Sequence, residues 1–111
     1  MIDIRVRRGH GDAITNVYIS GHADFAEYGS DIVCSAVSGI AIGIVNAIEH
    51  LLSIDICPAP TSDGLLSIEV PSNLDQSSSE KLQLLLEAMI YSLQNIADGY
   101  TDFVKLQTEK R

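Results

Sequence analysis

Positive charge is scarce in this chain. Seven Lys and Arg stand against fifteen Asp and Glu, a formal net charge of −8. Phosphate contacts need clustered cations, so nucleic acid is not the expected partner; the basic residues that do group are Arg5, Arg7 and Arg8 and the Lys110-Arg111 tail. An acidic field instead attracts basic partners and raises their encounter rate, although the same charge also serves plain solubility. Cysteine is equally sparse, with only Cys34 and Cys57. In a reducing compartment the two are not expected to pair, and Cys57, beside Pro58, reads as a small packing residue. No long apolar run is present. The longest, Ile40 to Ile48, is broken by Gly43 and Asn46 and followed by Glu49 and His50, which is short of the ~20 residues of a membrane span. There is no basic-then-apolar leader with a small-residue cleavage site, so a cytoplasmic location and no membrane association are the expectation.

What is present is the composition of a compact protein. Hydrophobic residues make up 46% and charged ones 20%, and Ser77-Ser78-Ser79 is the one low-complexity run, which argues against disorder. A chain of 111 residues fits one domain, residues 1–111, whose core buries somewhat under ~70% of the extended surface. The mean hydropathy of +0.17 suggests apolar surface covered by a partner, most simply a second copy in a homodimer.

Ile2, Ile4 and Val6 alternate with polar residues, the period of a half-buried strand, and after a turn at Gly9 to Asp12 the stretch Ile14 to Ser20 reads as a second strand with Val17 and Ile19 on one face. Ile32 to Leu52 reads as a helix apolar nearly all round, buried on several sides. Ile54 to Cys57 and Leu65 to Val70 read as a second antiparallel hairpin. Ser77 and Glu80 have capping-box spacing for a second helix ending near Gly99, and Tyr100 to Thr108 reads as a last strand. The order β-β-α-β-β-α-β predicts an α+β fold, a two-layer sandwich of a mainly antiparallel sheet of about five strands with two long helices.

The chemistry concentrates between Gly21 and Ser38. A polar loop of about eight residues separates His22 from a helix predicted to open near Asp31, short enough to fold back and bring the imidazole to the Cys34 thiol. In the first turn of such a helix, unpaired N–H groups and the helix dipole stabilise a thiolate, so Cys34 and His22 form a candidate nucleophilic pair. Asp31 fits the N-cap; alternatively its carboxylate orients His22 as the third member of a triad. Loop residues Asp24, Phe25, Glu27 and Tyr28 are candidates for substrate contact, the carboxylates toward basic groups and an aromatic ring toward apolar ones. They equally fit an ordinary surface loop. Gly21, Ser35 and Ser38 complete the candidate substrate-binding set. Gly39 and Gly43 predict close packing of the helix, since glycine costs about 1 kcal/mol in a helix interior relative to Ala. His10 lies in a turn and His50 at the far end of the helix, both outside the expected chemistry.

Gly21-His22-Ala23, Glu27-Tyr28-Gly29 and Asp31-Ile32-Val33-Cys34, followed by Ser35-Ala36 and Ser38, resemble the ribosomal-processing cysteine protease family, Prp. The resemblance extends over most of the chain. It implies removal of an N-terminal extension from large-subunit ribosomal protein twenty-seven, a basic protein, with Cys34 and His22 catalytic and no cofactor. Two other classes compete. One is a non-catalytic acidic adaptor that holds a basic ribosomal protein or assembly factor, with Cys34 merely a buried small residue. The other is a metal site at His22 and Cys34, disfavoured because tetrahedral zinc takes more closely spaced ligand pairs; no metal is expected.

Overall fold

Strict alternation decides the first strand. In a computed structural model, which describes residues 1–21, 28–57 and 64–110 (28–31, 64 and 65 in backbone alone), β1 spans Ile2–Arg8 and buries Ile2, Ile4 and Val6 while Arg5 and Arg7 face out. A short 3-10 turn, His10–Asp12, carries the chain into β2, Ile14–Ser20. The two pair antiparallel, and Thr15 is an extra residue: Arg7 lies opposite Asn16 and Arg8 opposite Ile14. That bulge turns Ile14 to the same buried side as Val17 and Ile19. It also leaves the Ile14 backbone to a side chain. Gln83 donates to the Ile14 carbonyl at 2.8 Å and accepts from its N–H at 2.9 Å. Beside it, Arg8 makes a two-pronged bond to the Glu87 carboxylate, 2.7 and 2.8 Å, and a third to the Asp12 carbonyl at 2.9 Å.

The remaining elements are α1 (Tyr28–Leu52), β3 (Gly64–Glu69), α2 (Gln76–Gly99) and β4 (Val104–Lys110). The sheet order is β3-β2-β1-β4, with β3 antiparallel to β2 and β4 parallel to β1. The α+β class therefore holds, but the described sheet is four-stranded and mixed, not five-stranded and mainly antiparallel. Ile54 to Cys57 is the missing strand. Ser53, at φ 56°, ends the helix in the left-handed region, and the Cys57 N–H turns onto the Asp55 carboxylate at 3.1 Å. Among the described residues one backbone bond, Glu69 N–H to the Ile56 carbonyl, joins this segment to β3. Ile54 and Ile56 are buried all the same, which is what their apolar spacing reports. The expected hairpin is replaced by β3 pairing with β2.

Helix α2 is capped two residues earlier than the Ser77–Glu80 spacing predicts. Asp75 is the N-cap, accepting from the Ser78 N–H at 3.2 Å, and Ser78, through its side chain first and its backbone N–H second, holds the Asp75 carboxyl below the usual range. The C-terminal end falls at Gly99 as expected, with the Tyr100 N–H closing onto the Ile96 carbonyl. Tyr100 to Phe103 forms a turn, so the last strand starts only at Val104.

Leu82, Leu86, Met89 and Leu93 of α2, and Val33, Val37, Ala41, Val45 and Ile48 of α1, share one core with the buried side chains of the strands. Both helices thus lie on one side of the sheet. The segment Ile32–Leu52 is long and apolar enough to cross a bilayer, yet one line of it is committed to this core. The opposite line, Ile32, Ser35, Gly39, Ile42, Asn46 and Glu49, is exposed, so α1 is not buried all round. Nor do Gly39 and Gly43 serve close packing within the described chain, because a Cβ added at either meets nothing within 4 Å.

Candidate active site

Helix α1 begins at Tyr28, four residues ahead of the predicted Ile32. The correction changes the local electrostatics. Asp31 becomes the fourth helical residue instead of the N-cap, and Cys34 the seventh, about 9 Å along the axis at ~1.5 Å per residue. The dipole acts mainly within the first turn, so Cys34 receives less from the helix mouth than expected. Its own N–H lies inside the i→i−4 ladder and is not a free oxyanion donor.

Cys34 is a free thiol, half-buried, packed on one side against the core beside Val33 and Val37 and flanked on the other by exposed Ser35. It is not sealed in hydrocarbon. Ser38, also half-buried, lies one turn further on, and Asp31 lies three residues earlier, so the three positions share a helix face. With the N-cap role removed by the helix start, Asp31 retains only its place on the Cys34 face. Cys57 is the other free thiol, and its environment differs: burial first, then the Asp55 and Glu49 carboxylates, push its pKa up, which makes it a poor nucleophile at neutral pH.

His22, Asp24, Phe25 and Glu27 lie outside the described residues, and Tyr28 is described only as the first residue of α1. The structure does place the residue from which His22 departs. Gly21 follows β2 directly at φ +79°, and a Cβ there would come within 2.3 Å of the Met1 carbonyl oxygen. Sequence reasoning assigned Gly21 to substrate binding and missed this constraint; a glycine at the end of a strand was the available signal. His10 and His50 are exposed, and among the described residues no three His, Cys, Asp or Glu gather as a metal set.

The family model described as cysteine protease Prp matches residues 1–105. The ribosomal processing cysteine protease Prp of Bacillus subtilis (strain 168) is 37% identical over 109 residues, covering 97% of each chain. Two crystal structures of an essential ribosomal processing protease Prp from Staphylococcus aureus superpose closely. The complex with a substrate peptide has a TM-score of 0.82 at 31% identity, covering 98% of this chain and 100% of the other. The complex with a covalently linked product peptide has a TM-score of 0.79 at 34% identity, with the same coverage.

Proposed function

This chain belongs to the Prp family of cysteine proteases, and from that premise we propose that it removes the N-terminal extension of large-subunit ribosomal protein twenty-seven during ribosome assembly, with Cys34 as nucleophile and His22 as acid and base. That it is a cysteine protease of ribosomal processing follows from the family. The observation supporting Cys34 is its placement: a free thiol at the border of core and solvent on α1, while Cys57 is held in its protonated form. A covalently linked product in the Staphylococcus aureus relative is consistent with a nucleophilic thiol.

In this mechanism the Cys34 thiolate attacks the scissile carbonyl and its electron pair moves to oxygen. Collapse breaks the C–N bond, and His22 gives its proton to the leaving amine. Water, deprotonated by His22, then hydrolyses the thioester and releases the thiolate. The helix N–H groups available to the oxyanion are those of residues 28–31, which have no carbonyl four residues back within the helix. Asp31 orients the imidazole. Asp24 and Glu27 receive basic residues of the precursor, with Phe25 or Tyr28 over apolar ones, and Ser35 and Ser38 line the approach to the thiol.

The protein acts in the cytoplasm as a homodimer. The exposed line of α1 supports the pairing, since Ile32 and Ile42 are 59% and 49% exposed and the space over Gly39 and Gly43 is open to a second helix. Ile42→Glu then yields a monomer by sedimentation; an unchanged mass places the dimer surface elsewhere.

The decisive experiment incubates the purified chain with a precursor of the ribosomal protein and reads the product mass. Cleavage that is lost in Cys34→Ala and His22→Ala, both folded, is the expected result. Tight binding of the precursor without cleavage by the wild type favours the acidic adaptor instead.

A further inference from the structure

We infer that Gly21 is a positioning residue for His22, acting through the direction in which the backbone leaves β2 and not through contact with substrate; the inference rests on the His22–Cys34 reading above. Two independent constraints meet at this residue. Its φ of +79° lies in the region that L side chains rarely adopt. The position a Cβ would take is filled: the Met1 carbonyl oxygen stands 2.3 Å from it, the Met1 carbonyl carbon 3.4 Å and the Ile2 Cα 3.6 Å. The obstruction is backbone, so no rotamer change relieves it.

That backbone is itself anchored. The Ile2 N–H donates to the Phe103 carbonyl at 2.8 Å, the Ile2 side chain is in the core, and Asp3 is in register with both Ser20 and Lys105. The segment against which Gly21 lies is therefore held between β2 and β4. An added methyl would force a shift at this contact, and because the Met1–Ile2 side is held in the sheet, we place that shift at Gly21, whose next residue is His22. The same fact argues against a substrate role on this side of Gly21, because the chain's own Met1 already occupies it. Gly11 provides the contrast. It also has a positive φ, +68°, but a Cβ there meets nothing within 4 Å, and it lies beyond the opposite end of β2 from Gly21.

The test compares Gly21→Ala, Gly11→Ala and His22→Ala for kcat and KM on a peptide spanning the cleavage site, and for the pH profile of Cys34 alkylation resolved by mass spectrometry. Gly21→Ala is expected to lose roughly 10- to 100-fold in kcat with KM little changed, the scale on which a misplaced catalytic group acts. Its alkylation profile should move toward that of His22→Ala. Gly11→Ala, which carries the same torsional strain, should melt earlier yet keep both kcat and the alkylation profile. If Gly21→Ala is too unstable to assay, Gly21→Asn keeps the Met1 clash while tolerating the left-handed region, and the same split is expected. A raised KM at unchanged kcat, or a wild-type profile in the Gly21 variant, overturns the positioning role. Full activity in His22→Ala overturns the base assignment on which it stands, and the two failures are read from different variants.

Discussion

Replacing Gln83 by Leu removes an amide while nearly conserving volume, and the structure says what that amide does. Because Thr15 bulges out of β2, the Ile14 N–H and carbonyl are paired by Gln83, at 2.9 and 2.8 Å, where the described ladder is out of step. Each such bond contributes about 0.5–1.5 kcal/mol net, so losing both costs roughly 1–3 kcal/mol. The upper part of the range applies if the half-buried groups stay unpaired, the lower if water reaches them. For a domain of this size, a loss of about 2 kcal/mol lowers Tm by about 10 °C. Urea unfolding should show a lower midpoint at unchanged slope, since the exposed surface of unfolding is the same. Specific cleavage should persist, because Gln83 is on α2 and outside the proposed site. A shift smaller than about 0.3 kcal/mol would show that water substitutes freely and that the bulge is not held by the side chain.

Three further outcomes follow from the same coordinates. The Glu87 carboxyl is held below its ordinary value of 4.5, first by its hydrogen bonds from Arg8, so this pair stabilises the fold fully above the unfolded carboxylate value and is lost as pH falls through the lowered one. Glu87→Gln should accordingly be less stable than wild type near neutrality and show a smaller further loss below about pH 4.5, read by thermal melts across pH. Cys57 should alkylate more slowly than Cys34 at neutral pH and more quickly after Asp55→Asn, since that carboxylate helps to push its pKa up; peptide mapping that finds Cys57 labelled first would contradict the assignment. Asp75→Ala should lower the melting temperature through loss of the bond to the Ser78 N–H, whereas Ser77→Ala, which removes the residue first expected to cap, should leave it nearly unchanged.

The elements whose sequence period matched their burial were legible at once: β1 from Ile2, Ile4 and Val6, and α2 from its Leu and Met spacing. Pairing was not, because alternation in Leu65 to Val70 says which side is buried but not which neighbour it meets, and β3 joins β2 across the whole length of α1. Ile54 and Ile56 show the converse error, since a buried alternating segment need not lie in a ladder when Asp55 bonds its own backbone. In the candidate site, residue type and the nearby helix singled out Cys34, but its expected place in the first turn was not right. The helix start was not: Asp31 is a good capping residue, and nothing local shows that the helical path has already begun at Tyr28. The constraint on Gly21 depends on Met1, twenty residues away, and only the sheet brings the two together.

The parallel pairing of β1 with β4 has a temporal side. Arg7 and Glu109, neighbours in the finished sheet, are 102 residues apart along the chain. A ribosome releases residues in order, so β1 emerges first and stays unpaired on one flank until β4 is made. The Phe103 carbonyl that anchors Ile2, and through it the seat of Gly21, arrives equally late. The backbone against which Gly21 rests is therefore completed only when the last strand docks.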